Sequence, residues 1–334
     1  MNNKRFGCLA IGLFILLCMS AFLNLILVAV SAKGLKTVRK HNLAPQFEEK
    51  VVVNGSSSSS DKIALITLRG LISSSVAGTL GETMVDDLKI ALQQAVDDDD
   101  VKAIVLNIDS PGGEVTASDV IYNAVRKARE QKPVVIYMGS IAASGGYYVA
   151  CGGSWLIAND TTLTGSIGVI IQTLNYEALL GKIGVDAVVF KSGKFKDMLS
   201  GTRPMTDEEK KYIQDLVMET YGKFVGIVAT ERKLPVDELR NGIADGRIIS
   251  GKDALEEKLI NQLGQIEDAY AKAKQLGRAS GASVIRYEAS FRLGKLLKLF
   301  GESEKAKVEV NLASTALPQL EPGKLYLLPG FYAP

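Results

Sequence analysis

The sequence predicts an α/β fold built on a largely parallel sheet, preceded by one N-terminal transmembrane helix. Three patterns carry that expectation. From Ile63 onward, apolar runs of strand length alternate with helix-period segments, those runs are nearly continuous, and an uncharged stretch runs from Gly7 to Val30. A strand apolar on both sides is buried on both, which implies parallel pairing with helices over each face.

In chain order, the first six residues form a short basic N-terminus holding Lys4 and Arg5, and residues 7–30 follow with Ser20 and Asn24 as their strongly polar side chains. At ~1.5 Å per residue, about 20 residues cross a hydrocarbon core, so this stretch is long enough to span one. Val30-Ser31-Ala32 resembles a signal-peptide cleavage site. The apolar region of such a peptide is normally only about 7 to 15 residues, which favours an uncleaved anchor. Lys33, Lys36, Arg39 and Lys40 flank the far end. By the positive-inside tendency alone, the C-terminal part would be cytoplasmic.

Residues 31–62 contain His41, Pro45, a Glu48-Glu49-Lys50 cluster and the run Ser56 to Ser60, and read as a flexible tether. Strands are expected at Ile63 to Leu68, Ala103 to Ile108, Val134 to Met138, Trp155 to Ala158 and Val185 to Phe190. Val85, Leu88, Ala91, Leu92, Ala95 and Val96 form one helical stripe, and Val120, Ile121, Ala124, Val125 and Ala128 another. Asn175 to Lys182 is helical in pattern. Thr206 with Glu209 is a capping box opening a long helix through about Arg232, before Pro235. Helical pattern returns at Asp253 and at Glu267 to Leu276. Asp97 to Asp100 fall between a helix and a strand and read as a solvated connection. Residues 63–315 thus form the folded domain. The tail, 316–334, sets Pro318, Pro322, Pro329 and Pro334 among apolar residues and is expected to be a surface extension.

Composition narrows the function. The chain has 334 residues, 47% apolar and 23% charged, enough to bury a core. Lys+Arg at 39 against Asp+Glu at 37 is too balanced for a broad nucleic-acid surface. The single histidine, His41, removes two-His metal sites and nearly every Ser-His or Cys-His catalytic pairing. Cys8, Cys18 and Cys151 match neither a disulfide framework nor a metal spacing. No cofactor or metal is implied.

Two strand-to-helix turns rich in small residues stand out. Asp109-Ser110-Pro111-Gly112-Gly113 offers outward N–H groups able to stabilise an oxyanion. Ser140-Ile141-Ala142-Ala143-Ser144-Gly145-Gly146-Tyr147-Tyr148 presents a serine between Ala143 and Gly145, uncrowded enough for substrate backbone to approach. On successive strands, the two turns are expected to be neighbours at one sheet edge. Without a nearby histidine the base must be a carboxylate or a neutral lysine, and Lys191-Ser192-Gly193-Lys194-Phe195-Lys196-Asp197-Met198 supplies lysines beside apolar Phe195 and Met198. A third turn, Thr164-Gly165-Ser166-Ile167-Gly168-Val169, offers the Ser166 hydroxyl as an orienting partner. Each segment, taken alone, also fits an ordinary turn or solvent-facing loop.

Together, Ser110-Pro111-Gly112-Gly113, Ala143 to Tyr148, Leu163 to Val169, Ser192 to Asp197, and Ala244-Asp245-Gly246-Arg247 with Ser250-Gly251 resemble the bacterial signal peptide peptidase family, type A. The likeness covers about Ile63 to Asp268. It implies a Clp protease/crotonase-like fold of stacked ββα units and a serine endopeptidase with a Ser/Lys dyad. Its nucleophile falls on Ser144, its general base on Lys196 rather than Lys194, its lysine-orienting hydroxyl on Ser166, and its oxyanion N–H on Gly113. It further implies signal peptides and other apolar peptides as substrates. A membrane anchor with an extracytoplasmic catalytic domain is also implied, against the charge count, as are homo-octamers whose adjacent subunits build the sites. Two alternatives stand beside it: a related Ser/Lys protease that clips stomatin-like membrane proteins, and a crotonase-like acyl-CoA enzyme, which would share the sheet and the oxyanion turns but would need neither Ser144 nor a membrane anchor. A non-catalytic membrane scaffold would hydrolyse nothing.

Overall fold

The computed structural model describes residues 19–20, 47–74, 83–289 and 325–329. Apart from residues 19–20, the expected span at 7–30 lies outside them, as do His41, Cys8 and Cys18. Among the described residues no helix is long and apolar enough to cross a membrane. Met1–Pro45 and Gln46–Pro334 are separate units, and the sheet and its helices belong to the second.

Its strands are β1 (Phe47–Val53), β2 (Lys62–Arg69), β3 (Val101–Ser110), β4 (Gly113–Glu114), β5 (Val134–Ala143), β6 (Trp155–Ala158), β7 (Leu163–Gly165), β8 (Ile248–Ser250), β9 (Gln262–Leu263), β10 (Ser283–Ala289) and β11 (Tyr326–Leu327). The main sheet runs β1-β10-β2-β3-β5-β6-β9, with β7 on the far part of β5 and β8 on β7. From β10 to β9 every pair is parallel, whereas β1–β10 and β7–β8 are antiparallel. The sheet is therefore mixed, with the expected parallel centre.

Eight helices are described: α1 (Met84–Asp97), α2 (Val115–Arg129), α3 (Gly145–Ala150), α4 (Glu177–Lys182), α5 (Asp207–Arg232), α6 (Val236–Asn241), α7 (Gly251–Glu256) and α8 (Ile266–Leu276). Alternation along the strands divides the core. Ala64, Ile66, Leu68, Ile104, Leu106, Ile108 and Ile136 share a core with residues of α1 and α2. Ile63, Leu65, Val105, Val135 and Ile157 share another with Ala269 and Ala273 of α8. Each fully buried Ile or Leu contributes about 1.5–3 kcal/mol, so the central strands are firm supports for the turns at their ends.

Local chemistry sets the helix ends. Thr83 caps α1 through the Asp86 N–H, and Thr206 and Glu209 form the expected box on α5. At the other end of α5, Lys233 turns left-handed at φ 56°. The α2 stripe is rotated from expectation, for Val120 is exposed while Ala117 and Tyr122 face inward. Tyr122, Tyr148 and Phe224 make an aromatic contact chain between α2, α3 and α5, and the Arg129–Glu231 ion pair at 2.7 Å holds α2 and α5 together.

Three expectations change. Val185 to Phe190 is not a strand: Val188 is 76% and Phe190 95% exposed. Strand propensity needs a neighbouring edge and the described chain offers this run none. Phe47–Val53, inside the expected tether, is an edge strand on β10. Phe47 is its one buried side chain, and its main chain exchanges hydrogen bonds with the Gln94 amide at 3.0 and 3.2 Å. The charges at Glu48, Glu49 and Lys50 suit an exposed edge. In the tail, residues 326–329 are buried, not a surface extension, because their main chain finds partners in the fold.

Candidate active site

The two predicted turns meet because β5 bends. Ile108 pairs with Met138, but Ser110 pairs with Ala142, so β5 gains residues against β3. An unequal count of this kind bends a strand and re-aims its end. Before the irregularity β5 pairs with β6, and after it with β7.

Ser144 occupies the turn between β5 and α3 at φ 52° and ψ −115°. That conformation costs a non-glycine residue about 1–3 kcal/mol and persists only where its surroundings hold it. Here the Ser144 N–H donates to the Gly165 carbonyl at 2.9 Å, and its carbonyl accepts from the Tyr148 N–H at 2.8 Å. Ser144 is fully buried, and its Oγ has no hydrogen-bond partner among the described residues. Burying a hydroxyl unsatisfied is unfavourable, so the turn holds the Ser144 oxygen without a partner at the expense of stability.

The glycine turn packs directly on this serine turn. Gly112 has φ +108°, and a Cβ there would collide with the Leu327 carbonyl oxygen and lie 2.6 Å from the Gly145 nitrogen. A Cβ on Gly145 would lie 3.0 Å from the Gly113 nitrogen and 2.6 Å from Ser118 Oγ. The Gly113 and Gly145 amides thus stand close together, one on each side of the contact. Gly145 opens α3, where an N–H has no partner within the helix. Sequence reasoning named Gly113 and missed Gly145, although its place directly after the serine was the available signal. Ser118, beside the same contact, has a buried Oγ with no hydrogen-bond partner among the described residues.

Ser166 lies on the adjoining turn after β7. It is buried, with φ 51°, and its N–H donates to the Arg247 carbonyl at 2.7 Å. Thr164 Oγ1 donates to the Ala142 carbonyl at 2.7 Å, bracing the Ser144 turn from the same side. The turns that carry Gly113, Ser144 and Ser166 are thus neighbours, through the Gly112–Gly145 approach and the Ser144 N–H bond to the Gly165 carbonyl.

Lys196 does not join them within one chain. It is exposed, on a turn closed by its N–H to the Gly193 carbonyl at 3.1 Å. Neighbouring lysines are engaged, Lys191 with Asp197 at 2.7 Å and Lys194 with Glu208 at 2.5 Å, whereas Lys196 pairs with no carboxylate among the described residues. Arg203, followed by Lys191, holds the Asp197 carboxyl well below the usual carboxylate range. Glu209 is held down to about 2 by Arg203 and the Thr206 N–H. Both carboxylates stay ionised and keep the turn fastened.

Near Ile170 lies a cleft of about 320 Å³ lined by Val169, Ile170, Ile171, Met205, Lys210, Ile213, Gln214 and Val217. Its mostly apolar wall suits apolar side chains. Cys151 is buried, which pushes its thiol up to about 12. Among the described residues no cluster of His, Cys, Asp and Glu is able to hold a metal.

A parallel-centred sheet with a strained serine at a strand-to-helix turn, faced by glycine amides, is the framework of a Clp-like serine-type peptidase. The sequence profile for Clp protease matches residues 62–162 and that for Peptidase family S49 matches residues 126–280. A Synechocystis protein bearing the name protease is 41% identical over 208 residues, 62% of this chain and 72% of that one. An Enterococcus faecium protein named as signal peptide peptidase SppA is 39% identical over 198 residues, 59% of this chain and 57% of that one. The chloroplastic serine protease SPPA of Arabidopsis thaliana is 34% identical over 268 residues, 79% of this chain and 36% of that one. The matched part is thus less than two thirds of the length of two of these relatives. This chain belongs to peptidase family S49, and its likeness is to SppA-type serine proteases.

Proposed function

We propose that the protein is a membrane-anchored endopeptidase that degrades signal peptides left after preprotein processing, using Ser144 as nucleophile and Lys196 as general base. The observation that carries this reading is the Ser144 turn, with its unpartnered buried hydroxyl beside the Gly113 and Gly145 amides. The neutral Lys196 amine takes the Ser144 proton as Oγ attacks a peptide carbonyl carbon. The oxyanion that forms is met by the N–H groups of Gly113 and Gly145. As it collapses, the C–N bond breaks and the lysinium protonates the departing amine. Water, deprotonated by Lys196, then releases the acyl group as a carboxylate and restores Ser144. Ser166 orients the lysine through its hydroxyl.

Lys196 reaches Ser144 from an adjacent subunit. Support comes from its exposed position and from the apolar side chains on the same excursion. Leu174, Leu179, Ile183, Val188 and Phe190 are between 59% and 95% exposed, surface that a second copy would cover. The family likeness implies an octamer, with the domain on the extracytoplasmic side and residues 7–30 as its anchor. The cleft beside Ile170 favours apolar peptides.

The test is incubation of the full chain with a synthetic signal peptide. Wild type is expected to cleave it, and Ser144→Ala and Lys196→Ala not at all while remaining folded. Cleavage by either variant rejects the dyad. Turnover of a CoA thioester that survives Ser144→Ala would point instead to a crotonase-type activity.

A further inference from the structure

Gly113 belongs to β4, and residues 70–74 fasten that strand along one side. Ile72 forms a parallel bridge with Gly113. The Ile72 N–H donates to the Gly112 carbonyl and the Ile72 carbonyl accepts from the Glu114 N–H, both at 2.8 Å. The Gly112 N–H is taken by Ser110 Oγ at 3.1 Å, and Pro111 has none. Along an extended chain the main-chain groups of successive residues face opposite sides. With Gly112 and Glu114 both bonded to Ile72, the Gly113 N–H is turned away from Ile72, and its nitrogen lies 3.0 Å from where a Gly145 Cβ would stand. A Cβ on Gly113 itself would collide with the Ile72 carbonyl oxygen, so the two backbones are in direct contact.

The Glu114 side chain keeps residues 70–74 in that position. It is buried, and although Glu114 is the N-cap residue of α2, its carboxylate makes no capping bond to that helix. It reaches instead to the neighbouring segment. Oε1 accepts from Ser73 Oγ at 2.9 Å, and Oε2 accepts from the Ser74 N–H at 3.2 Å and from Ser74 Oγ at 2.7 Å. Hydrogen bonds to a carboxylate are about twice as strong as neutral ones, and a buried carboxylate that loses donors is expensive. Releasing Ser73 and Ser74 is therefore costly, and Ile72 directly precedes them.

We propose that Glu114 is a positioning residue of the reaction: by holding Ser73 and Ser74 it fixes Ile72 against the glycine turn, and so sets where the Gly113 N–H meets the oxyanion. The inference rests on the Ser/Lys reading above and adds a residue to it. Glu114 acts through Ile72 and Gly113 and does not touch the reacting atoms. Its charge works in the opposite direction, because a carboxylate near a developing oxyanion repels it. Geometry and charge thus predict opposite signs. If placement of the amide governs, neutralising Glu114 slows the reaction; if charge governs, neutralising it speeds the reaction.

The experiment measures kcat and KM on a synthetic signal peptide for the full chain as wild type, Glu114→Ala and Glu114→Gln, with a melting curve and the inhibition constant of a peptide boronic acid for each. The boronic acid forms a tetrahedral adduct on a catalytic serine, so its affinity follows transition-state stabilisation. Glu114→Ala is expected to lower kcat about 10- to 100-fold, less than the outright loss of an oxyanion donor. KM should change little, and the boronic acid should weaken in proportion to kcat/KM. Glu114→Gln keeps one acceptor oxygen and should fall between the two; it gives the answer if Glu114→Ala does not fold. Adding Ser73→Ala and Ser74→Ala to Glu114→Ala should cost nothing further, because the three act as one unit, and a further multiplied loss overturns the proposal. A lower melting temperature with kcat and boronic acid affinity unchanged leaves Glu114 a part in folding only and overturns it. So does a raised kcat in either variant. In each of these cases hydrolysis by wild type, absent in Ser144→Ala, leaves the reading of the site standing. A wild type that hydrolyses nothing, or a Ser144→Ala chain that still does, overturns that reading and this inference with it.

Discussion

The Arg203 guanidinium holds the Asp197 carboxylate through Nε at 3.0 Å and Nη2 at 2.6 Å, and Asp197 directly follows Lys196. The same guanidinium bonds Glu209 through Nη1 at 2.9 Å and Nη2 at 2.6 Å, and Glu209 accepts from the Thr206 N–H at 2.8 Å. One planar cation therefore ties the lysine turn to the first turn of α5. Lysine cannot reproduce that fork. Arg203→Lys is expected to lower kcat about 10- to 100-fold, with a smaller change in KM, because a base misplaced by about 1 Å loses that much. Steady-state kinetics with a signal peptide, checked against an unaltered melting curve, reads the effect. A variant with wild-type kcat would release Arg203 from any part in positioning the base.

The same contacts set an acid limit. Asp197 and Glu209 both sit below their ordinary values of 3.8 and 4.5, Glu209 at about 2. A carboxylate depressed by folding adds stability that is complete above its unfolded value and fades as pH falls toward its folded one. The Glu209 arm of the clamp on residues 191–209 should therefore hold at pH 5 and weaken between about 4.5 and 2, with the more strongly depressed Asp197 arm letting go after it. Hydrogen exchange of that segment, corrected for intrinsic rates, would follow the opening. Full exposure already at pH 5 would mean that the ion pairs do not hold it.

If each site combines Ser144 from one subunit with Lys196 from another, two dead variants can repair each other. Ser144→Ala chains still supply lysine and Lys196→Ala chains still supply serine. After unfolding and joint refolding at equal amounts, about a quarter of the sites regain both groups by random assortment in a ring. Peptide hydrolysis near that fraction of wild type is the expected result. No recovery from particles shown to be mixed would place both groups in the same chain.

Much of this arrangement was legible because it rests on side-chain pattern. Ile63 to Leu68, Ala103 to Ile108 and Trp155 to Ala158 bury apolar side chains in strands where expected, and the Thr206–Glu209 box opens its helix. What escaped depends on the main chain or on partners. Beyond Gly139, β5 continues through Ser140 to Ala143, small residues whose pairing follows from the bend and not from hydrophobicity. The Gly145 amide is a backbone group with no side chain to mark it. Residues 325–329 enter through main-chain hydrogen bonds, which leave no periodicity to read. Val185 to Phe190 shows the opposite error. An apolar run left at the surface has the same pattern as one paired in a sheet, because periodicity records what a residue avoids and not what covers it.

Cys151 offers a check on the packing beneath the serine turn. It follows α3 directly, only 1% exposed, and burial pushes its thiol up to about 12. The thiolate is the reactive form, so the thiol is expected to resist iodoacetamide at pH 8 in the native protein and to react once guanidinium unfolds it. Peptide mapping distinguishes it from Cys8 and Cys18. Rapid native labelling would show that α3 opens often enough to disturb Ser144.

Gly112 tests the contact on which the oxyanion assignment depends. Its φ of +108° is strained for any side chain, and a Cβ would press on the Gly145 nitrogen at 2.6 Å. The two turns can accept that methyl only by separating, which moves the Gly113 and Gly145 amides apart. Losing one oxyanion donor costs about 10²–10³ in kcat, and Gly112→Ala is expected to lose at least that much, with a stability cost of about 1–3 kcal/mol from the backbone alone. Gly139→Ala is the control, since a Cβ there meets nothing closer than 3.5 Å. It should keep both activity and fold, so the comparison separates crowding at the amide pair from the loss of any glycine near the sheet edge. If Gly112→Ala hydrolyses peptide at the wild-type rate, the oxyanion is stabilised elsewhere.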